Sequence, residues 1–588
     1  MLQFLKYVLA TFVGIILFLF LSFFILVGIG SMFSSDDEVT INEKSVLKLD
    51  LNQPIAEVGV ENPFSDFGGM FSGNEDVVGL KDIIAALKSA QSDDKIKGIY
   101  LKTENPQAGW ATLEEIRKQL NEFKKSKKFI VTYGESYSEK GYYLASVSDK
   151  IYLNPVGGIE WNGLSAEYSF FKGTFDKLEI KPLVFRVGEF KSAIEMFSRQ
   201  DMSEASKKQS IELITAINDN FLKNISASRG ISVGQLKNLA DSLAIENPKS
   251  ALQYKFITNL GYQDELDSYI KKELKVEEKK DISFVGVNKY LKGPSKGDEG
   301  DFNKRIGVLV AEGEITSGKG GDESIGSEKF VKELKEIREN DKIKAVVIRI
   351  NSPGGSALAS DVMWREIKLT AKKKPVIASM SDVAASGGYY LAMGCDTIVA
   401  QPNTITGSIG IFGLVFNVTD FMNNKLGITF DGVGTSPHAD WPTATREMTE
   451  FEKSMIQRSV NEGYETFTRK AAEGRKMSIE KLKSLAQGRV WSGVEAKENG
   501  LIDVLGGVDD AVKLAAKAAK LKEGDYRVRY YPEKKKPFDE FFEKMMGDEE
   551  EKVTAKNLGE LAPYVKMYKK LMNMGGTQAR MPFELVIK

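Results

Sequence analysis

A serine, a lysine and a set of paired glycines are the residues of this chain best suited to chemistry. Ser386 stands in "SDVAASGGYYLAMGCD", residues 381–396, between an apolar run that reads as a strand and a small-residue run that reads as a helix. "INSPGGS", residues 350–356, likewise follows an apolar strand and precedes a helical pattern. Gly354 and Gly355 allow backbone angles and close approaches that a side chain would forbid. Their N–H groups can therefore face a shared space at a helix N-terminus, where an anion is held well. Successive strands of a β-α-β unit bring their C-terminal ends side by side. The Ser386 hydroxyl with the N–H groups of Gly387 and Gly354 would then form a nucleophile with an oxyanion hole.

Such a serine needs a base, and composition narrows the choice. The single histidine, His438 in "GTSPHADWPT", leaves a Ser-His pair open, but no acid is placed by a recognisable triad motif. One histidine and one cysteine cannot supply the usual zinc ligands, so neither metal nor cofactor is expected. Cys395, in an apolar helix end, reads as a buried structural thiol. Lysine is the remaining common base, provided that burial lowers its pKa enough to leave it neutral. Lys191 in "VFRVGEFKSAIEMFSRQDMSE" is the candidate, because it follows an apolar strand and a turn at Gly188. Phe190, Ile194 and Phe197 would supply the desolvating surface.

The elements that must position these groups occur twice. "GYYLA" at Gly141 and again at Gly388 sets an offset of 247, and the same offset pairs "DKIK" at Asp94 with "DKIK" at Asp341. It also pairs Pro106 with Pro353, Asp149 with Asp396 and Pro155 with Pro402. Two homologous domains follow. In the second, "RIGVLVAEGEI", "AVVIRI", "PVIASM" and "TIVAQP" read as strands, alternating with the helical patterns "EKFVKELKEIREN", "SALASDVMWREIKLTAKKK" and the Ser386 segment. Repeated β-α-β favours parallel strands with right-handed crossovers, hence an α/β fold in each half. The repeat also shows what each copy has lost. Glu139 stands opposite Ser386 and Gln107 and Ala108 replace the two glycines, while the neighbouring register that pairs "DMSE" at Asp201 with "EMTE" at Glu447, an offset of 246, puts Pro437 opposite Lys191. The first half keeps the lysine and the second keeps the serine.

The 588 residues divide accordingly. Tyr7–Phe33 carries no charge over 27 positions, enough for a helix to span a bilayer. It is longer than the apolar region of a cleaved signal peptide, the competing reading. Lys6 precedes it while Asp36, Asp37 and Glu38 follow, so residues 1–6 are expected in the cytoplasm and the remainder outside. We expect an anchor at 7–33, a first domain at 34–289, a linker at 290–304, a second domain at 305–524 and a charged, solvated tail at 525–588. Lysine plus arginine number 81 against 82 aspartate plus glutamate, with no basic stripe, which speaks against a nucleic-acid partner.

Together "EFKSAIEMF", "NSPGGS", "AASGGYYLA" and "TGSIGIFG" resemble the signal peptide peptidase A family in its long, duplicated form. These are membrane-anchored Ser/Lys proteases of the Clp-protease/crotonase fold. The resemblance covers nearly the whole chain. It implies Ser386 as nucleophile, Lys191 as general base, the Gly-Gly turn at Gly354 and Gly355, and Ser408 of "TGSIGIFG" as the group that orients the lysine. It further implies two tandem Clp-protease/crotonase-like domains and a serine endopeptidase in the inner membrane with its domains on the periplasmic side. Remnant signal peptides and other short membrane-associated peptides would be its substrates. Because each half lacks what the other keeps, head-to-tail contacts imply a homo-oligomer, a tetramer among the candidates, with one site per protomer and the pair formed within a chain. Two other classes are compatible with the fold. A crotonase-like enzyme would act on an acyl-coenzyme A without needing Ser386, and a silent membrane scaffold would survive loss of both groups.

Overall fold

Apolar β-rich runs separated by amphipathic helices leave each half one economical solution, a parallel sheet with helices packed on it. The computed structural model describes residues 2–33, 40–59, 77–293, 300–321, 324–533 and 576–581. In the first half the sheet order is Asn259–Leu260, Lys150–Ile159, Phe129–Tyr137, Ile96–Lys102, Ser45–Asp50, Phe284–Gly286, and every neighbouring pair is parallel. The second half builds the same core from Asp301–Glu312, Ile343–Ser352 and Val376–Ala385, again parallel. Thr397–Ala400 and Ile405–Gly407 both pair with Val376–Ala385. These two short strands stand at the repeat offset from the single strand Lys150–Ile159 of the first half.

A third, mixed sheet stitches the halves together. Its order is Ser324–Gly326, Glu314–Thr316, Gly354–Ser356, Gly576–Arg580, Phe412–Asn417, Lys181–Arg186. Lys181–Arg186 of the first repeat runs antiparallel along the whole of Phe412–Asn417 of the second, from Phe412 opposite Arg186 to Asn417 opposite Lys181. The halves also share a core, because helix Val508–Ala518 and side chains such as Val308 and Val347 pack with the first repeat's apolar residues. Buried polar contacts fix the docking angle. Arg349 Nε lies 2.8 Å from Glu57 and its Nη2 lies 2.9 Å from Glu115, all three buried. Thr112 donates to the Asp382 carboxylate from both its backbone N (2.8 Å) and its hydroxyl (2.6 Å).

Two expectations about boundaries need correction. The second domain begins earlier than residue 305, since its first strand starts at Asp301; of the expected linker, residues 294–299 lie outside the described residues. The tail is not simply peripheral. Tyr526–Tyr531 is an edge strand parallel to Asp301–Glu312, and Gly576–Arg580 is an internal strand of the third sheet. The tail is charge-dense as a whole, but within it "YRVRYY" alternates aromatic or aliphatic residues with arginine, a pattern that suits a half-covered edge strand. Residues 534–575 and 582–588 of that tail lie outside the described residues.

The N-terminal run forms a helix, Leu2–Phe33, whose described side chains, among them Phe12, Ile16 and Phe18, are exposed. Side chains are described for only part of it, and among the described residues no helix is long and apolar enough to cross a membrane.

Candidate active site

Strand Val376–Ala385 delivers Ser386 to the start of helix Gly387–Ala392. Ser386 takes φ +55° and ψ −110°, a strained conformation for a residue with a side chain, which typically costs about 1–3 kcal/mol. Its N donates to the Gly407 carbonyl at 2.9 Å, and its hydroxyl caps no helical N–H. The hydroxyl is thus left for another partner, in a residue with no exposed surface.

That partner comes from the other repeat. Beyond strand Lys181–Arg186 the chain turns at Gly188, and Lys191 lies at the start of the short helical turn Ser192–Ile194. The turn is clamped from both repeats: Phe190 N donates to Gln487 O (3.0 Å) of the second, and Gln209 Nε2 of the first donates to Phe190 O (3.1 Å) and Ser192 Oγ (2.7 Å). Gly488, at φ +80°, makes the approach possible. A Cβ there would stand 2.7 Å from Lys191 Cβ and 2.8 Å from its backbone N. Lys191 Nζ lies 2.9 Å from Ser386 Oγ, 2.9 Å from Ser408 Oγ and 3.0 Å from Ser408 O.

The electrostatics of the lysine follow from its surroundings. Lys191 has no exposed surface, and desolvation alone holds its pKa well below the ordinary lysine value. A neutral amine has two N–H donors and one lone pair. The two Ser408 oxygens match the donors, and the lone pair is left for the Ser386 hydroxyl. Ser408 is itself held at φ +49°, with its N donating to Arg489 O. Ile194 and Phe197 are buried as expected, while Phe190 is only half-buried beneath the Arg489 guanidinium.

Gly354 and Gly355 form the strand Gly354–Ser356 at φ +97° and +153°. The Gly354 N–H donates to Ser352 Oγ at 3.2 Å. Next to it lies the terminal strand Gly576–Arg580, an element that sequence reasoning missed. It inserts antiparallel between Gly354–Ser356 and Phe412–Asn417, and Met581 N donates to Pro353 O at 2.6 Å. The Ala579 carbonyl oxygen sits where a Cβ on Gly354 would be only 2.1 Å away, and one on Gly387 3.1 Å away. An extended segment of the chain therefore offers a carbonyl to the glycine turn and to the start of the Ser386 helix. Gly488 and the terminal strand lacked a sequence signal of their own; the turn dipeptide at Gln487–Gly488 and the glycine pair at 575–576 were the only local marks.

The other candidates fall elsewhere. His438 Nδ1 lies 2.9 Å from Glu452 Oε1 and its ring stacks beside Phe451, within the network that caps helix Glu450–Arg475. Cys395 is buried, and burial pushes its thiol pKa up. Among the described residues, no group of three or more His, Cys, Asp or Glu side chains is placed to hold a metal ion. At the position opposite Ser386, Glu139 is buried and accepts the backbone N–H groups of Asn162 (3.0 Å) and Gly163 (2.8 Å).

A strained serine beside a desolvated lysine is suited to nucleophilic chemistry, and comparison with known sequences gives the family. The chain belongs to peptidase family S49, whose model matches residues 122–277 and 368–522, one match in each repeat; a Clp protease model matches residues 297–406. Protease 4 of Salmonella typhi is 35% identical over 90% of this chain and 88% of its own length. The chloroplastic serine protease SPPA of Arabidopsis thaliana is 38% identical over 74% of this chain and 64% of its own. Protease 4 of Haemophilus influenzae is 34% identical, over 74% and 72% respectively.

Proposed function

We propose that this protein is a membrane-anchored serine endopeptidase in which Lys191 activates Ser386. The observation that carries the reading is the 2.9 Å contact between a fully buried Lys191 Nζ and Ser386 Oγ, with no carboxylate or histidine in the contact. Neutral Lys191 takes the hydroxyl proton as Oγ attacks the peptide carbonyl carbon. The developing oxyanion rests at the glycine turn and helix start, against Gly354 and Gly387, where the Ala579 carbonyl now lies. Gly355 shapes the turn and Ser408 holds the amine in line. The C–N bond breaks, Lys191 returns its proton to the leaving amine, and water then attacks the acyl-enzyme with Lys191 again as base, regenerating Ser386. The chemistry needs no cofactor.

The same reading places the uncharged run Tyr7–Phe33 in the inner membrane, with the amino end in the cytoplasm and both repeats on the periplasmic side. Substrates would be remnant signal peptides and other short peptides that enter extended, as Gly576–Arg580 does. A homo-oligomer follows from the unequal faces of the two repeats, with each dyad inside one chain. The deciding experiment is mass spectrometry after exposure to a peptide substrate or a serine-acylating inhibitor. An adduct on Ser386 that is absent from Lys191→Ala supports the dyad. Hydrolysis that persists in Ser386→Ala would reject it.

A further inference from the structure

The terminal strand shows which bond an occupant of this groove presents. The Ala579 carbonyl oxygen lies against Gly354 and the start of the Ser386 helix, so the carbonyl of the bond that follows it, Ala579–Arg580, lies where the proposed mechanism puts the oxyanion. Ala579 is fully buried on the acyl side. On the amine side, the Arg580 side chain is 8% exposed and its Nη1 lies 3.0 Å from Glu314 Oε1, itself 24% exposed. Strand Glu314–Thr316 is tied to the glycine turn, since Ile315 pairs with Gly355. Glu314 therefore stands at a fixed place relative to the reacting carbonyl, one residue beyond the bond. A guanidinium is costly to bury without an anion, and a carboxylate at this point lowers that cost for a cationic residue while repelling an acidic one.

We propose that Glu314 is a specificity-determining residue that selects substrates carrying a basic residue immediately after the bond to be cut. This rests on the peptidase reading above and adds to it the charge of the leaving side. Glu314 does not touch the reacting atoms, so it acts through binding and its effect falls mainly on KM.

The test uses the full chain and quenched peptides of the form Gly-Thr-Gln-Ala-Xaa-Met, with Xaa arginine, alanine or glutamate. The expected order of kcat/KM is arginine, alanine, glutamate, spaced roughly tenfold per step and narrowing as salt rises. Glu314→Gln should flatten the series, and Glu314→Arg should invert it so that the glutamate peptide is best. The readout is the ratio among peptides, which is insensitive to any general change in activity caused by loosening the terminal strand. A series with the same ratios in wild type and Glu314→Gln, or cleavage mapped away from the Ala-Xaa bond, overturns the proposal while leaving the peptidase intact. If wild type hydrolyses none of the three and Ser386 takes no acylating inhibitor, the peptidase reading itself falls, and this proposal with it.

Discussion

The two repeats start a helix at the same place and do it differently. In the first, Ser138 adopts an ordinary extended conformation, φ −69° and ψ 165°, and its side chain caps the helix by accepting the Gly141 N–H. Glu139, the residue opposite Ser386, is then a normal first-turn acid that accepts two further backbone N–H groups. In the second, Ala385 offers no cap, and Ser386 is the strained residue whose hydroxyl is turned to Lys191. The fold does not demand the strain, because the related turn, with Glu139 at the position of Ser386, is relaxed and better satisfied. The strain belongs to the position of the hydroxyl, and a copy free of that requirement has settled into capping and burial.

Measurements on both repeats break or sharpen the contrast. The largest effect is expected on the active side: Ser386→Ala or Lys191→Ala should each lower kcat by at least about 10³-fold while leaving the fold intact, measured by peptide hydrolysis and circular dichroism. In the wild type, activity should be present at high pH and fall away as pH drops through the depressed Lys191 pKa, because the base must be neutral. Between that value and lysine's usual 10.5 the unfolded chain binds the extra proton, so this group's contribution to stability rises with pH across the window. Lys191→Met removes the term and should raise stability near neutrality by about 1 kcal/mol in urea denaturation.

Next in size, Ser408→Ala deletes one of the two Ser408 oxygens that orient Nζ and should cost roughly 10- to 100-fold in kcat with little change in KM. Ending the chain before Gly576 should lower KM for an added peptide by roughly tenfold at unchanged kcat, because a tethered competitor is removed. An unchanged KM would mean that the terminal strand does not compete for the groove. The smallest effect is expected on the silent side. Glu139→Ala should leave hydrolysis unaltered and cost about 1–3 kcal/mol of stability, since the Asn162 and Gly163 N–H groups lose their acceptor.

Much of this site was legible because the chain contains its own comparison. The offset of 247 exposed the serine and glycines that one copy keeps, and the 246 register around "DMSE" and "EMTE" exposed the lysine that the other keeps. The strands Ile343–Ser352 and Val376–Ala385 followed from their apolar, β-rich runs. What stayed hidden lies in pairings between distant short segments. Strand Lys181–Arg186 reads locally as one more strand of the first repeat, yet its partner is Phe412–Asn417 of the second. "GTQAR" has no apolar period and becomes a strand only because two open edges flank it. Glu314 is one of many acids in the sequence, and nothing marks it until Arg580 is laid beside it.

Lys191 and Ser386, the proposed base and nucleophile, are 195 residues apart and come from different repeats. Synthesis runs from the amino end and domains tend to fold as they emerge. A nascent chain that has completed its first repeat thus carries a lysine with nothing to activate, and the serine arrives only when the second repeat docks on Lys181–Arg186. The order of the segments thus keeps the unfinished chain without a completed pair until the second repeat docks.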